Sequence, residues 1–123
     1  MKIAVSIVTL LLFSTAFGQT VEEFNKRYLD SIATPEGRAY EPVATAEFTS
    51  DLGFMPECAR REGVRSGAVT IFFEVTPEGA IGDLYITPGS PLVDCFHDNL
   101  VSREFTPPPD GSWVGRLTLT ISR

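Results

Sequence analysis

Few side chains in this 123-residue chain carry reactive groups, and their spacing limits the chemistry they can do. There is one histidine, His97, and there are two cysteines, Cys58 and Cys95. A structural zinc site takes about four ligands, and a lone histidine with two cysteines outside any C-x-x-C pair cannot complete one. His97 is flanked by Asp94 and Asp98, which resembles an acid–base dyad, but no nucleophile is placed beside it. A solvated helix histidine is the simpler role. The carboxylate pairs Glu22–Glu23 and Asp94–Asp98 read as surface charge with capping value. No G-x-S-x-G, H-E-x-x-H or glycine-rich phosphate loop is present. We therefore expect no enzyme, no metal and no cofactor. The two cysteines remain, as a disulfide or as buried or reactive thiols.

The N-terminus bears on that choice. Lys2 precedes an apolar run from Ile3 to Phe13, broken only by Ser6 and Thr9. Ala16 and Gly18 are the small residues of a signal-peptidase site before Gln19. We expect residues 1–18 to be a cleaved secretory signal peptide. The alternative is an uncleaved anchor, but Ile3 to Phe17 is 15 residues, and a spanning helix needs about 20. No cysteine follows the cut, so a lipoprotein route is not indicated. The expected location is periplasmic or secreted, with no membrane span after cleavage. An even cysteine count in an oxidising compartment then favours a Cys58–Cys95 disulfide. In the chain-entropy model such a bridge stabilises the fold by about 3–4 kcal/mol, which matters in a domain too small to bury a large core. Losing Lys2 takes the basic residues from 10 to 9 against 16 acidic ones, a net charge of −7. So acidic a domain suits neither nucleic acid nor anionic lipid; it suits solubility or a basic partner.

The elements that must carry these residues follow from periodicity and punctuation. Thr20-Val21-Glu22-Glu23 has capping-box spacing, and Val21, Phe24, Tyr28, Leu29 and Ile32 recur at helical intervals, so a helix is expected over 21–32. Thr34-Pro35-Glu36-Gly37 reads as a turn that stops it. Residues 33–50 show no sustained period and read as a connection, with a short extended piece around Tyr40 to Phe48. Pro56 fits the first turn of a second helix carrying Cys58 and Ala59, with Arg60 and Arg61 in its last turn and Gly63 ending it. Ala68 to Thr76 alternates as a strand. Thr76-Pro77-Glu78-Gly79 is a turn, and Ala80 to Thr87 returns as the antiparallel partner, with a bulge expected near Gly82-Asp83. A third helix starts at Pro91 with Leu92, Cys95, Phe96, Asn99 and Leu100 on one face, and Pro107-Pro108-Pro109 forbids its continuation. Trp113 to Ser122 is the last strand, with Gly115, Leu117, Leu119 and Ile121 on one side and Arg116, Thr118 and Thr120 on the other.

The expected class is α+β: a three-stranded antiparallel sheet with two helices packed on one face, in the order α-β-β-α-β, plus the N-terminal helix. Residues 19–53 form that helix and its connection, and 54–123 form the domain proper. Val69, Ile71, Phe73, Leu117 and Leu119 are the expected core. Both cysteines lie on the apolar sides of helices sharing one sheet face, so the bridge should join helix to helix. The last strand should lie at a sheet edge, where unpaired N–H and C=O groups can take an incoming extended peptide. The competing account is an edge simply protected by Arg116 and the N-terminal segment.

The run from Met55 to Gly67, Met-Pro-Glu-Cys-Ala-Arg-Arg-Glu-Gly-Val-Arg-Ser-Gly, resembles the opening of TonB C-terminal domains, which reads aromatic-Pro-x-x-Ala-x-x-x-Gly-(Ile/Val)-x-Gly. Ala68 to Ile86, with Phe-Glu-Val-Thr-Pro-Glu-Gly at its centre, is similar to that family's first hairpin. Phe105 and Pro107 match its aromatic-x-aromatic-x-Pro segment. The resemblance covers residues 54–122, and the cysteine pair resembles a subgroup found in small exported proteins. It implies a protein-binding module in which a receptor segment adds alongside the last strand, bordered by Trp113, Arg116, Thr118 and Thr120. The implied partner is a protein or peptide, such as an outer-membrane transporter. The departures are equally specific. Arg103 stands where the family usually has Trp, the N-terminal segment has no ionisable residue after Lys2, and there is no Pro-rich linker. A structural or accessory envelope domain that keeps the fold without receptor binding is the alternative reading.

Overall fold

A computed structural model describes residues 20–64, 67–88 and 92–121. The expected signal peptide, Pro91 and Ser122 lie outside the described residues. In chain order the elements are α1 (Val21–Ser31), α2 (Pro35–Thr49), α3 (Met55–Arg61), β1 (Gly67–Val75), β2 (Ile81–Thr87), α4 (Leu92–Leu100) and β3 (Trp113–Ile121). The strands form one antiparallel sheet in the order β2-β1-β3, with β1 central. The α+β class, the hairpin and the helix boundaries at Pro56 and Gly63 agree with the residue pattern.

Local chemistry explains these boundaries. Thr20 caps α1, its hydroxyl accepting the Glu23 N–H at 3.2 Å. At the end of α3, Gly63 takes φ +69°. The N–H of Val64 then reaches the Ala59 carbonyl at 2.9 Å and that of Gly63 the Arg60 carbonyl at 3.3 Å. That bond pair is a Schellman motif, and its left-handed position favours glycine because no Cβ must be accommodated. In the hairpin, Phe73 pairs with Leu84 and Val75 with Ile81. Gly82 and Asp83 therefore oppose Glu74 alone, which is the expected bulge. Glu74 accepts the freed Asp83 N–H at 2.9 Å.

Residues 35–49 correct the sequence reading. They form a helix of 15 residues and not a connection with an extended piece. Thr34-Pro35 is an N-cap and N1 pair, with the Thr34 hydroxyl accepting the Gly37 N–H at 3.0 Å; the same dipeptide also opens turns, hence the misreading. Pro42 costs the helix a backbone bond and masks its period. Burial offsets that cost: Tyr40, Ala44 and Phe48, at i, i+4 and i+8, all lie in the main core.

The core has two parts, one on each sheet face. Val69, Ile71, Phe73 and Val75 meet Phe48, Cys58, Leu92 and Phe96, so α2, α3 and α4 share one face. Leu117 and Leu119 are half-buried at its margin. On the opposite face, Phe72 and Val114 meet Phe24 and Tyr28 of α1. The two helices of the expected α-β-β-α-β order, α3 and α4, thus share one sheet face as expected; α2 joins them there, and the N-terminal helix α1 covers the other face.

Cys58 and Cys95 are disulfide-bonded with Cα atoms 5.8 Å apart, joining α3 to α4. The bridge is buried, as expected for a brace through the core.

The segment after α4 is laced to α2. Tyr40 donates its phenolic hydrogen to the Thr106 carbonyl. Burial, with the Glu47 carboxylate nearby, pushes this phenol up to about 12, so it stays a donor. Glu47 in turn accepts from the N–H and hydroxyl of Thr106 at 2.9 and 2.7 Å. Arg103 donates to the carbonyls of Phe48, at 2.8 Å, of Glu47 and of Asp51. The Glu47 and Phe48 carbonyls belong to the last turn of α2, which has no basic residue of its own there, and the Asp51 carbonyl lies just beyond its end. We expect Arg103→Ala to lower unfolding stability by about 2 kcal/mol, in the range for hydrogen bonds to a charged group. Arg103→Lys should recover only part of that, because an ammonium cannot span three carbonyls as the guanidinium fork does. Urea denaturation of both variants checks this, and equal midpoints for parent and Arg103→Ala would refute the capping role.

Candidate functional site

β3 is an edge strand, and its register decides which groups it offers. It pairs with β1 from Val75↔Trp113 to Gly67↔Ile121 without a break. The N–H of Val114 does not point into that ladder; it donates to Ser31 Oγ at 3.0 Å. In an antiparallel pair, each residue's N–H and C=O point to the same side, and alternate residues point opposite ways. Arg116, Thr118 and Thr120 therefore turn their backbone polar groups outward, as Val114 does. Among the described residues, none of these three N–H groups has a partner.

The two sides of this edge differ in chemistry. Arg116, Thr118 and Thr120 are exposed on the side that α1 covers. The Arg116 guanidinium lies 4.4 Å over the Tyr28 ring and donates to the Asn25 carbonyl oxygen of the side chain. Thr118 and Thr70 hydroxyls approach to 3.4 Å across the strand pair. Leu117 and Leu119 lie half-buried on the other side. Tyr28 donates to Glu41 at 2.8 Å, and burial, then the hydrogen bond to that carboxylate, raises its phenol above the ordinary range.

Of the four residues singled out along this strand, Arg116, Thr118 and Thr120 border the open edge. Trp113 does not. It is 3% exposed, its indole donates to the Gly37 carbonyl at 3.2 Å, and its ring meets Tyr40 edge-on at 5.0 Å. Its role is to pin the start of β3 to α2. Gly37 is part of the same junction, since a Cβ there would lie 1.8 Å from the Ser31 carbonyl. Ser31 is the residue that sequence reasoning missed. Its position near the end of a helix gave no sign that its hydroxyl would meet a strand 83 residues away.

Beyond Ser31 the edge gives way to a recess of about 190 Å³, lined by Asp30, Ser31, Thr34, Asp110, Ser112 and Trp113 among others. His97 is half-buried on α4, and its neighbours Asp94 and Asp98 are exposed. Among the described residues, no cluster of His, Cys, Asp or Glu could hold a metal, and no helix is long and apolar enough to cross a membrane. Compared with protein-family models, curated proteins and solved structures, the chain matches none of them.

Proposed function

We propose that this chain is an exported, periplasmic protein-binding module that takes up an extended peptide segment by strand addition along β3. The observation that carries the reading is the outward, unpartnered backbone of Arg116, Thr118 and Thr120 on an edge strand of nine residues. In strand addition, main-chain hydrogen bonds supply affinity, and the alternating side chains supply selectivity. Here one side of the incoming strand would meet Leu117 and Leu119, and the other would meet Arg116 and the two threonines. The resemblance to TonB C-terminal domains supports the same mode and implies an envelope protein, such as an outer-membrane transporter, as partner. An accessory envelope domain without receptor binding is the second reading. What favours it is the Ser31 bond to Val114, which already closes one end of the edge.

The test uses the mature protein against a displayed library of linear seven-residue peptides. Enriched peptides should slow amide exchange at Arg116, Thr118 and Thr120. Thr118→Pro removes an outward N–H without breaking the β1 ladder, so it should weaken those peptides roughly tenfold or more while the fold is kept. Circular dichroism and urea denaturation confirm folding, and Thr120→Pro serves where the first variant is unstable. A folded proline variant that binds as the parent does would rule out this edge as the binding site.

A further inference from the structure

We propose that Ser31 is a register stop, which makes the partner an extended segment pairing with residues 116–120 and ending or turning away before Val114. This rests on strand addition at β3 and specifies which length of strand is admitted.

The Ser31 hydroxyl is committed on both sides. It donates to the Arg27 carbonyl at 2.9 Å and accepts the Val114 N–H at 3.0 Å. That uses the one outward N–H of the strand that would otherwise continue the series begun by Thr120, Thr118 and Arg116. The stop is also held in place. The α1–α2 junction is fixed by the close approach at Gly37, and the Trp113 indole donates to the Gly37 carbonyl. Along α1, Asn25, Tyr28 and Ser31 are spaced three apart and present one stripe to β3. Asn25 and Tyr28 take the Arg116 side chain, and Ser31 takes the Val114 backbone. Among the described residues, no polar contact of α1 extends to Thr118 or Thr120.

An incoming strand thus has two kinds of edge before it. Over Arg116 to Thr120, its carbonyls find free N–H donors on every second residue. At Val114 the donor is already occupied by the Ser31 hydroxyl. Pairing two residues further would break a satisfied bond, so the segment stops short. The open stretch is about 17 Å long at about 3.3 Å per residue. The recess bordered by Ser31, Asp110 and Ser112 lies where a segment leaving the sheet at that point would go.

The experiment takes the peptide enriched by the mature protein and synthesises it in five-residue and seven-residue forms, the latter lengthened toward Val114. In the parent, both forms should bind with equal affinity, and the Val114 amide should show no added protection from exchange. In Ser31→Ala the Val114 N–H is released. The longer form should then bind roughly 3- to 10-fold more tightly than the shorter, the range of one added hydrogen bond, with new protection at Val114. Ser31→Thr keeps the hydroxyl and should behave as the parent. Equal binding of both forms to a folded Ser31→Ala variant overturns the register stop while leaving strand addition standing, as does protection at Val114 in the parent. Absence of any peptide that protects Arg116, Thr118 and Thr120 overturns strand addition, and the register stop with it.

Discussion

Replacing Phe73 by alanine should lower unfolding stability by about 4 kcal/mol, the largest effect expected of any single core truncation here. Phe73 lies at the centre of β1, the central strand of the sheet, and its side chain is fully buried. Its ring stacks on Phe48 of α2 at 4.4 Å between centroids and meets Trp113 at 6.0 Å. Its cross-strand partner is Gly115. A Cβ at Gly115 would lie 2.6 Å from the Phe73 ring, so that ring occupies the space above the glycine. Truncation therefore removes packing from a strand, a helix and an aromatic neighbour at once, and none of the three can move into the void without disturbing the sheet. Since small domains are stable by about 5–15 kcal/mol in total, the variant should unfold at markedly lower urea. Urea titration followed by Trp113 fluorescence checks the value, and a loss below about 1 kcal/mol would mean that this site is not the centre of the core.

Removing the Cys58–Cys95 bridge should cost about 3–4 kcal/mol, from the loop it closes in the unfolded chain. The cysteines are 37 residues apart, and the loop contains β1, β2 and the turn between them. The native state gains as well. α3 has seven residues, too few for a helix to persist alone in water. It is held by Pro56 at its start, by the Schellman bonds at its end and by the bridge to α4 between them. The double variant Cys58→Ala, Cys95→Ala should show a lower urea midpoint, with amide protection lost first in α3. Reductant should shift the parent toward that midpoint and leave the double variant unchanged. A parent whose stability is indifferent to reductant would show that packing, not the bridge, keeps α3 in place.

Several elements of the fold were legible because their signals are local. Alternation over Val69, Ile71, Phe73 and Val75 marks a strand whatever surrounds it, since side chains along a strand must alternate faces. Thr20 with Glu23, Pro56 and Gly63 mark helix ends because backbone groups there need a cap, a missing N–H or a positive φ. The bulge at Gly82-Asp83 was legible as a break in alternation, and the disulfide as an even cysteine count on two apolar helix faces. α2 was not, because Thr34-Pro35 serves equally well as a turn and as a helix start, and Pro42 interrupts the pattern. What settles it is the burial of Tyr40, Ala44 and Phe48 against β1 and β3, which local propensity does not contain.

The candidate site divides in the same way. That β3 alternates, with Arg116, Thr118 and Thr120 on one side, is a property of its residues alone. Strand order put β3 at the edge and register turned the N–H groups of those three residues outward. Both arise from pairing between segments dozens of residues apart. Trp113 looked like an edge residue by its place in the strand, but the sheet and α2 close over it, because a large ring gains more from burial than from exposure. Ser31 and Arg103 show the opposite case: each is an ordinary polar residue in sequence. Their partners are the Val114 N–H and the carbonyls at the end of α2. Side-chain type and spacing thus determined the three strands, the helices other than α2, and the disulfide pair of this protein. Long-range backbone pairing and packing alone decided which polar groups each element leaves free, because a hydrogen-bond donor is unsatisfied only with respect to everything that folds around it.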